Sequence, residues 1–189
     1  MSTGTLPPFR RIITTNVEGG RSRILADGPV PHVLESAPGR GLINLWATGS
    51  SPPSLDTLDD AAWPVQLEPP AGGSVFRFFQ LGPRTVSNED PEVAERAAAA
   101  AFARMGAAHL RVDTTRHPAM HKSHTLDYII LLKGRVLLVL DEDETELNPF
   151  DVVIQRGTNH AWINLEDEPA LLMGVLMDAV RGPSAPDQP

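Results

Sequence analysis

The sequence predicts an all-β fold, a sandwich or barrel, with one inserted helix. β-Branched and aromatic residues gather in short runs bounded by Gly, Pro, Asn or Asp. The runs recur at short spacing, too close for helices to alternate with strands. Only one stretch, rich in alanine, carries helix signals.

In chain order the expected strands are RRIITTN (10–16), SRILADG (22–28), GLINLWATG (41–49) and SVFRFFQLG (74–82). A second group follows: HLRVDTT (109–115), LDYIILLKG (126–134), RVLLVLD (135–141), DVVIQRG (151–157), HAWIN (160–164) and ALLMGVLMD (170–178). Residues 50–73, rich in Pro, Ser and Asp, read as a long surface connection with a short strand at Pro64–Glu68. DPEVAERAAAAAFARMG (90–106) reads as the helix. Asp90 can cap it, Pro91 suits its first turn, Glu92 suits the positive dipole end, and Gly106 can end it. It is expected to pack against the barrel, with a lid as the other role open to it. One domain over 9–180 is expected, between a flexible N-terminus (1–8) and a disordered tail (181–189).

Composition narrows the function. The 189 residues are 41% hydrophobic and 21% charged, ordinary for a soluble domain. A net charge of -8 argues against nucleic acid and anionic membrane as partners. There is no cysteine, which excludes disulfides, thiolate metal sites and cysteine nucleophiles. The start, MSTGTLPPFRR, lacks the apolar run of a signal peptide, and no stretch is long enough to span a membrane. A cytoplasmic protein is the expectation.

The chemistry gathers in HPAMHKSHTLDYIILLKG (117–134), which holds three of the six histidines. His121 and Asp127 are six residues apart, roughly 20 Å on a straight strand at about 3.3 Å per residue. They can share a site only across a turn, and KSHT (122–125) is polar enough to supply one. GTNHAWIN places His160 just after a glycine turn. Two imidazoles and a carboxylate form a ligand set used by non-haem Fe(II) oxygenases, and one that also suits Mn, Ni or Zn.

These residues resemble the two motifs of the cupin superfamily, G(X)5HXH(X)3-4E(X)6G and G(X)5PXG(X)2H(X)3N. His121, Asp127 and Gly134 fit the first with its spacing; Gly157, His160 and Asn164 fit the second. The motif resemblance covers about residues 115–165. It implies a double-stranded β-helix (jelly-roll) barrel, a divalent metal (Fe, Mn, Ni or Zn), a small-molecule ligand and a homodimer. Ser123 stands at the second His of HXH, Asp127 at the Glu, Gln155 at the Pro and Phe150 at a usual Gly. Family members typically hold metal with three His and one Glu. Against that pattern His121, Asp127 and His160 are the expected ligands, and His124 is the candidate to swing inward from the turn.

Each assignment has a plainer counterpart. His160 and Asp127 are read as catalytic acid/base groups as well as ligands; otherwise His160 is a barrel histidine bonded to backbone and Asp127 a turn aspartate. His124 is otherwise a solvated turn residue. Ser123 could hold a water or substrate oxygen, and His117 is a weaker ligand candidate. His32 and His109 are read as structural, and Gly157 and Asn164 as turn makers. Trp162 shares the parity of His160. Met173, Val175 and Met177 share one strand face, and Phe76 and Phe78 another. They would be core, or the apolar wall of a pocket for a hydrophobic or aromatic ligand. Tyr128 should face away. The expected function is a metal-dependent cupin enzyme acting on such a molecule. The alternative is a metal-free or weakly metallated binding module, and a storage role ranks last.

Overall fold

The computed structural model describes residues 6–55, 64–84 and 90–180. The expected disordered tail, most of the flexible N-terminus and the middle of the 50–73 connection lie outside the described residues. Eleven strands and one helix are described: β1 (Arg10–Asn16), β2 (Ser22–Pro29), β3 (His32–Ala37), β4 (Arg40–Thr48), β5 (Ser74–Leu81), α1 (Pro91–Arg104), β6 (Thr125–Lys133), β7 (Val136–Leu140), β8 (Glu144–Leu147), β9 (Val152–Arg156), β10 (His160–Asn164) and β11 (Ala170–Asp178).

Two antiparallel sheets face each other. One has six strands in the order β3-β4-β5-β11-β6-β9, the other three in the order β10-β7-β8. The arrangement is a jelly-roll barrel. Its interior core draws Val75, Ile129, Leu131, Leu172 and Leu176 from the large sheet and Val136, Leu138 and Trp162 from the small one. Leu131, Val136 and Leu172 are fully buried, each contributing roughly 1.5–3 kcal/mol relative to exposure. β1 and β2 form a separate hairpin. The N-terminal segment covers part of the large sheet's outer face, where Leu6, Phe9 and Val30 pack on Ile43, Phe76 and Phe78.

Strand phase decides what the interior can hold. On β11 Ala170, Leu172, Gly174 and Leu176 point inward, so Met173, Val175 and Met177 lie on the outer face. Phe76 and Phe78 lie there too, and Arg77 takes the inward position between them. The expectation that these outer residues wall a pocket is therefore corrected. Tyr128 faces outward as expected.

The helix forms as its sequence signals predict. The Asp90 carboxylate accepts from Glu92 N at 2.9 Å, Pro91 opens the first turn, and Gly106 follows the helix with φ 67°. Phe102 and Met105 pack against Leu42, Ala107 and Leu110, so α1 closes one side of the barrel.

Two expected strands do not form. Residues 109–115 make a short 3-10 turn (Ala108–Leu110) and then irregular chain. Leu110 is buried as an anchor, and Arg111 turns back to donate to Pro118 O and Glu95. The segment thus bonds to its own neighbourhood rather than to a strand. Pro64–Glu68 is also irregular, because its carbonyls at Gln66 and Leu67 accept from Arg77 instead of from a strand.

Candidate functional site

His121 and His160 meet on the small-sheet side. They form an isolated antiparallel bridge, with N–H···O bonds of 2.9 Å in both directions, and their rings lie 4.2 Å apart between centroids. His121 thus pairs with His160, rather than folding back in a hairpin onto Asp127 as the spacing suggested. Asp127 arrives instead on β6, from the facing sheet. All three line one cavity with Ser123, Trp162, Phe79, Phe102, Arg40 and Arg77.

Each imidazole is held the same way. His121 Nδ1 lies 3.0 Å from Ala119 O and His160 Nδ1 lies 2.9 Å from Thr158 O. A carbonyl only accepts, so both Nδ1 atoms carry the proton and both Nε2 atoms keep a lone pair. Among the described residues nothing bonds either Nε2. Burial drives the pKa of His121 down to about 4. Burial and the neighbouring His121 drive that of His160 down to about 3. Both rings are therefore neutral at pH 7. Phe102 packs on His121 with centroids 4.9 Å apart, and Trp162 stands edge-on to His160 at 5.6 Å.

The turn that presents His160 is built locally. Gly157 has φ 59°, and a Cβ there would lie 3.0 Å from Ser123 O. Gln155, at the place where the motif has proline, donates through Nε2 to the Thr158 hydroxyl, and Thr158 in turn accepts from His160. Asn164 donates to Gly82 O at 2.9 Å and Glu168 O at 2.7 Å, fixing the far end of β10. The structural roles expected of Gly157 and Asn164 match this geometry.

Asp127 is buried, and its Oδ1 has no hydrogen-bond partner in the structure. Burial raises its pKa to about 6, with Thr125 and Arg77 pulling the other way. The carboxyl is thus half-protonated near pH 6 and mostly ionised at pH 7. Arg77 is 1% exposed. Its Nη atoms donate to Leu67 O at 2.9 Å and Gln66 O at 2.7 Å. Burial lowers its pKa to about 9 against the opposing pull of Asp127.

The remaining sequence candidates separate clearly. Ser123 lines the cavity, its Oγ 2.6 Å from Thr125 Oγ1. His124 is exposed on the other side of the chain and does not line the cavity. His117 accepts from Ala119 N through Nδ1 at 3.1 Å, which shapes the turn leading to His121. His109 Nε2 lies 3.0 Å from Glu68 Oε2 on the surface. Sequence reasoning missed Arg40, Arg77 and Phe102. An arginine sharing the parity of Val75 in SVFRFFQL was the available signal for Arg77.

Family members typically hold a metal, so the donor set needs a test on its own chemistry. The imidazole pair fits: two neutral rings, each fixed through Nδ1 and offering Nε2, as metal-bound histidines do. The full expected set is not gathered. Among the described residues no three His, Asp or Glu side chains come together as a metal-holding group. Asp127 stands on the opposite sheet and His124 outside.

A β-barrel with a buried imidazole pair facing a carboxyl across an apolar cavity defines the class. Residues 108–176 match the family model described as a cupin domain. Phomopsin biosynthesis cluster protein D of Diaporthe leptostromiformis is 38% identical over 77 residues, 33% of this chain and 41% of that protein. The cupin-domain-containing oxidoreductase srdD of Neurospora crassa is 27% identical over 141 residues, 71% of this chain and 56% of that protein. The chain thus spans roughly half the length of these curated relatives. Among solved structures, a Cupin 2 conserved barrel domain protein from Salinispora arenicola is 16% identical, covers 77% of this chain and 82% of its own, and has a TM-score of 0.41. Among the described residues no helix is long and apolar enough to cross a membrane.

Proposed function

We propose that this chain is a cupin enzyme acting on a small hydrophobic or aromatic molecule held in the barrel cavity. The observation that carries the reading is the pair of neutral, backbone-fixed imidazoles opening into an apolar cavity opposite a carboxyl near its pKa. His121 and His160 would hold a divalent metal through Nε2, and Asp127 would complete its surroundings. A metal bound there would polarise a carbonyl or carboxylate oxygen, or bind O₂. Trp162, Phe79 and Phe102 would hold the apolar body and exclude water. Asp127 would hold or release a proton at Oδ1, as an acid/base group with a pKa near the working pH does. The names of relatives such as the Neurospora oxidoreductase support an enzyme and leave the reaction open.

Metal analysis tests this. Purified without chelator, the wild type is expected to hold a stoichiometric Fe, Mn, Ni or Zn, and His121→Ala and His160→Ala to lose it. His124→Ala should leave metal content unchanged. A wild type that stays metal-free even after incubation with each ion would sink the metal mechanism. It would leave the second reading, a metal-free binding module. The separation of Asp127 from the imidazole pair favours that reading.

A homodimer belongs to the same proposal. Two outward rows run across the large sheet in register: Ile154–Tyr128–Val175–Phe76–Trp46 and Val152–Ile130–Met173–Phe78–Ile43. The N-terminal segment covers only the β4–β5 end. Val152 and Ile154 remain 58% and 53% exposed at the other. An apolar, uncharged patch of this kind matches itself, as a two-fold interface requires. Sedimentation velocity should show a dimer for the wild type and a monomer for Ile154→Lys; a wild-type monomer at micromolar concentration would refute it.

A further inference from the structure

The cavity carries an unbalanced positive charge, and it sits at Arg40. Two arginines line the cavity, Arg40 and Arg77, against one carboxyl, Asp127. Even when ionised, Asp127 offsets only one guanidinium. Arg77 is the one it faces electrostatically, and Arg77 is further tied to the carbonyls of Gln66 and Leu67. Arg40 has no such ties. Among the described residues no carboxylate, carbonyl or ring meets its guanidinium, although other arginines on the same flank are engaged. Arg104 donates to Ser36 O at 3.0 Å, and Arg111 to Glu95 at 2.6 Å.

The surroundings strengthen the point. Burial lowers the pKa of Arg40, and no anion acts to raise it. Burial and the Arg40 charge push His117 further toward its neutral form, so it adds no second positive charge beside Arg40. Glu35, the nearest carboxylate in sequence, is occupied by Gly39 N at 2.9 Å. The turn that carries Arg40 is pinned: Gln80 Nε2 donates to Gly39 O at 2.9 Å, and a Cβ on Gly41 would lie 2.3 Å from Leu34 O. A cationic fork is thus held ready in a largely apolar cavity. Arg40 is half-buried, so its guanidinium is partly stripped of water without gaining a partner, and an anion arriving with the ligand supplies one.

We propose that the ligand is a hydrophobic or aromatic molecule bearing one carboxylate, and that Arg40 receives this carboxylate while the apolar body lies along Phe79, Phe102 and Trp162. Counting the cavity's own side chains, the single uncompensated charge suits a carboxylate monoanion. A guanidinium takes a carboxylate through two parallel N–H···O bonds. This inference rests on the cavity reading above and adds the charge of the ligand and its anchor.

The test is calorimetric titration of the intact chain with 2-naphthoate and with 2-naphthamide, which share a ring system and differ in charge. Wild type should bind the naphthoate about tenfold or more tightly than the amide, as a charge-assisted pair predicts. Arg40→Met should bring the two within about twofold by weakening naphthoate alone, and Arg40→Lys should keep part of the preference. Arg40→Gln takes the place of the Met variant should that one not fold. Equal affinities in wild type, or a preference that survives loss of the charge, overturn this inference and leave the cavity reading standing. Failure of wild type to bind either probe overturns both.

Discussion

Among single residues Arg77 imposes the largest constraint on the barrel. Its guanidinium is sealed in, and two of its donors hold the carbonyls of Gln66 and Leu67 in a segment with no strand partner of its own. Arg77→Met should therefore leave two part-buried acceptors unpaired and free a carboxyl from its counter-charge. A loss of about 3 kcal/mol is expected in urea unfolding, with faster amide exchange across residues 64–70. Unchanged exchange there would show that the segment is held by other means. Much of the site was legible at this scale. His160 and Trp162 lie in a strand whose phase follows from alternation, and with His121 and Ser123, which stand just before β6, they line the cavity. Arg40 and Arg77 were not legible, because their meaning depends on which face of β4 and β5 turns inward, and phenylalanines flank Arg77 on the outward phase. His124 sits one residue from an inward position, and a one-residue step in a strand reverses the face. No bulge intervenes to turn it back.

Among elements, the turn between β8 and β9 stands out. Phe150 has φ 76°, the left-handed region that glycine enters freely and a bulky residue does not. Pro149 precedes it and Asp151 N donates to Asn148 O at 3.0 Å, the setting of a type II turn. The ring itself is 77% exposed and so has little packing to lose. The family's usual glycine falls at this position, which gives that departure a physical cost. Phe150→Gly should stabilise the chain by about 1 kcal/mol, the left-handed penalty less the added freedom of the unfolded chain. A lower thermal midpoint would mean that the ring has a contact partner in solution, such as a second copy. The same scale shows why most strands could be read in advance while two could not. β3 (HVLESA) and β8 (ETEL) carry charged residues in positions where apolar alternation is the usual signal. Their pairing comes from neighbouring strands: β3 on β4 and β8 on β7. HLRVDTT has the opposite history. Its β-branched pattern is real, yet Leu110 and Arg111 find local partners first, and tertiary context overrides propensity.

For the whole molecule, the buried titratable groups set how it answers to acid. Unfolded, each imidazole takes a proton near its ordinary pKa of 6.5; folded, His121 waits until about 4 and His160 until about 3. Between those limits the unfolded chain binds more protons, so stability falls as the pH falls below 6.5. Asp127 works in the other direction. Its folded pKa of about 6 lies above the ordinary 3.8, so the folded chain binds the extra proton in that window and acidification stabilises it. Two imidazoles with larger displacements outweigh one carboxyl. The metal-free chain should lose about 2 kcal/mol between pH 7 and pH 5, read as a falling urea midpoint after chelator treatment. The double variant His121→Gln, His160→Gln removes the destabilising groups and keeps Asp127, so its dependence should reverse, with greater stability at pH 5 than at pH 7. Equal midpoints at the two pH values in wild type would mean that water reaches the imidazole pair freely. The cavity would then lack the dry walls on which both its metal chemistry and its charge selectivity depend.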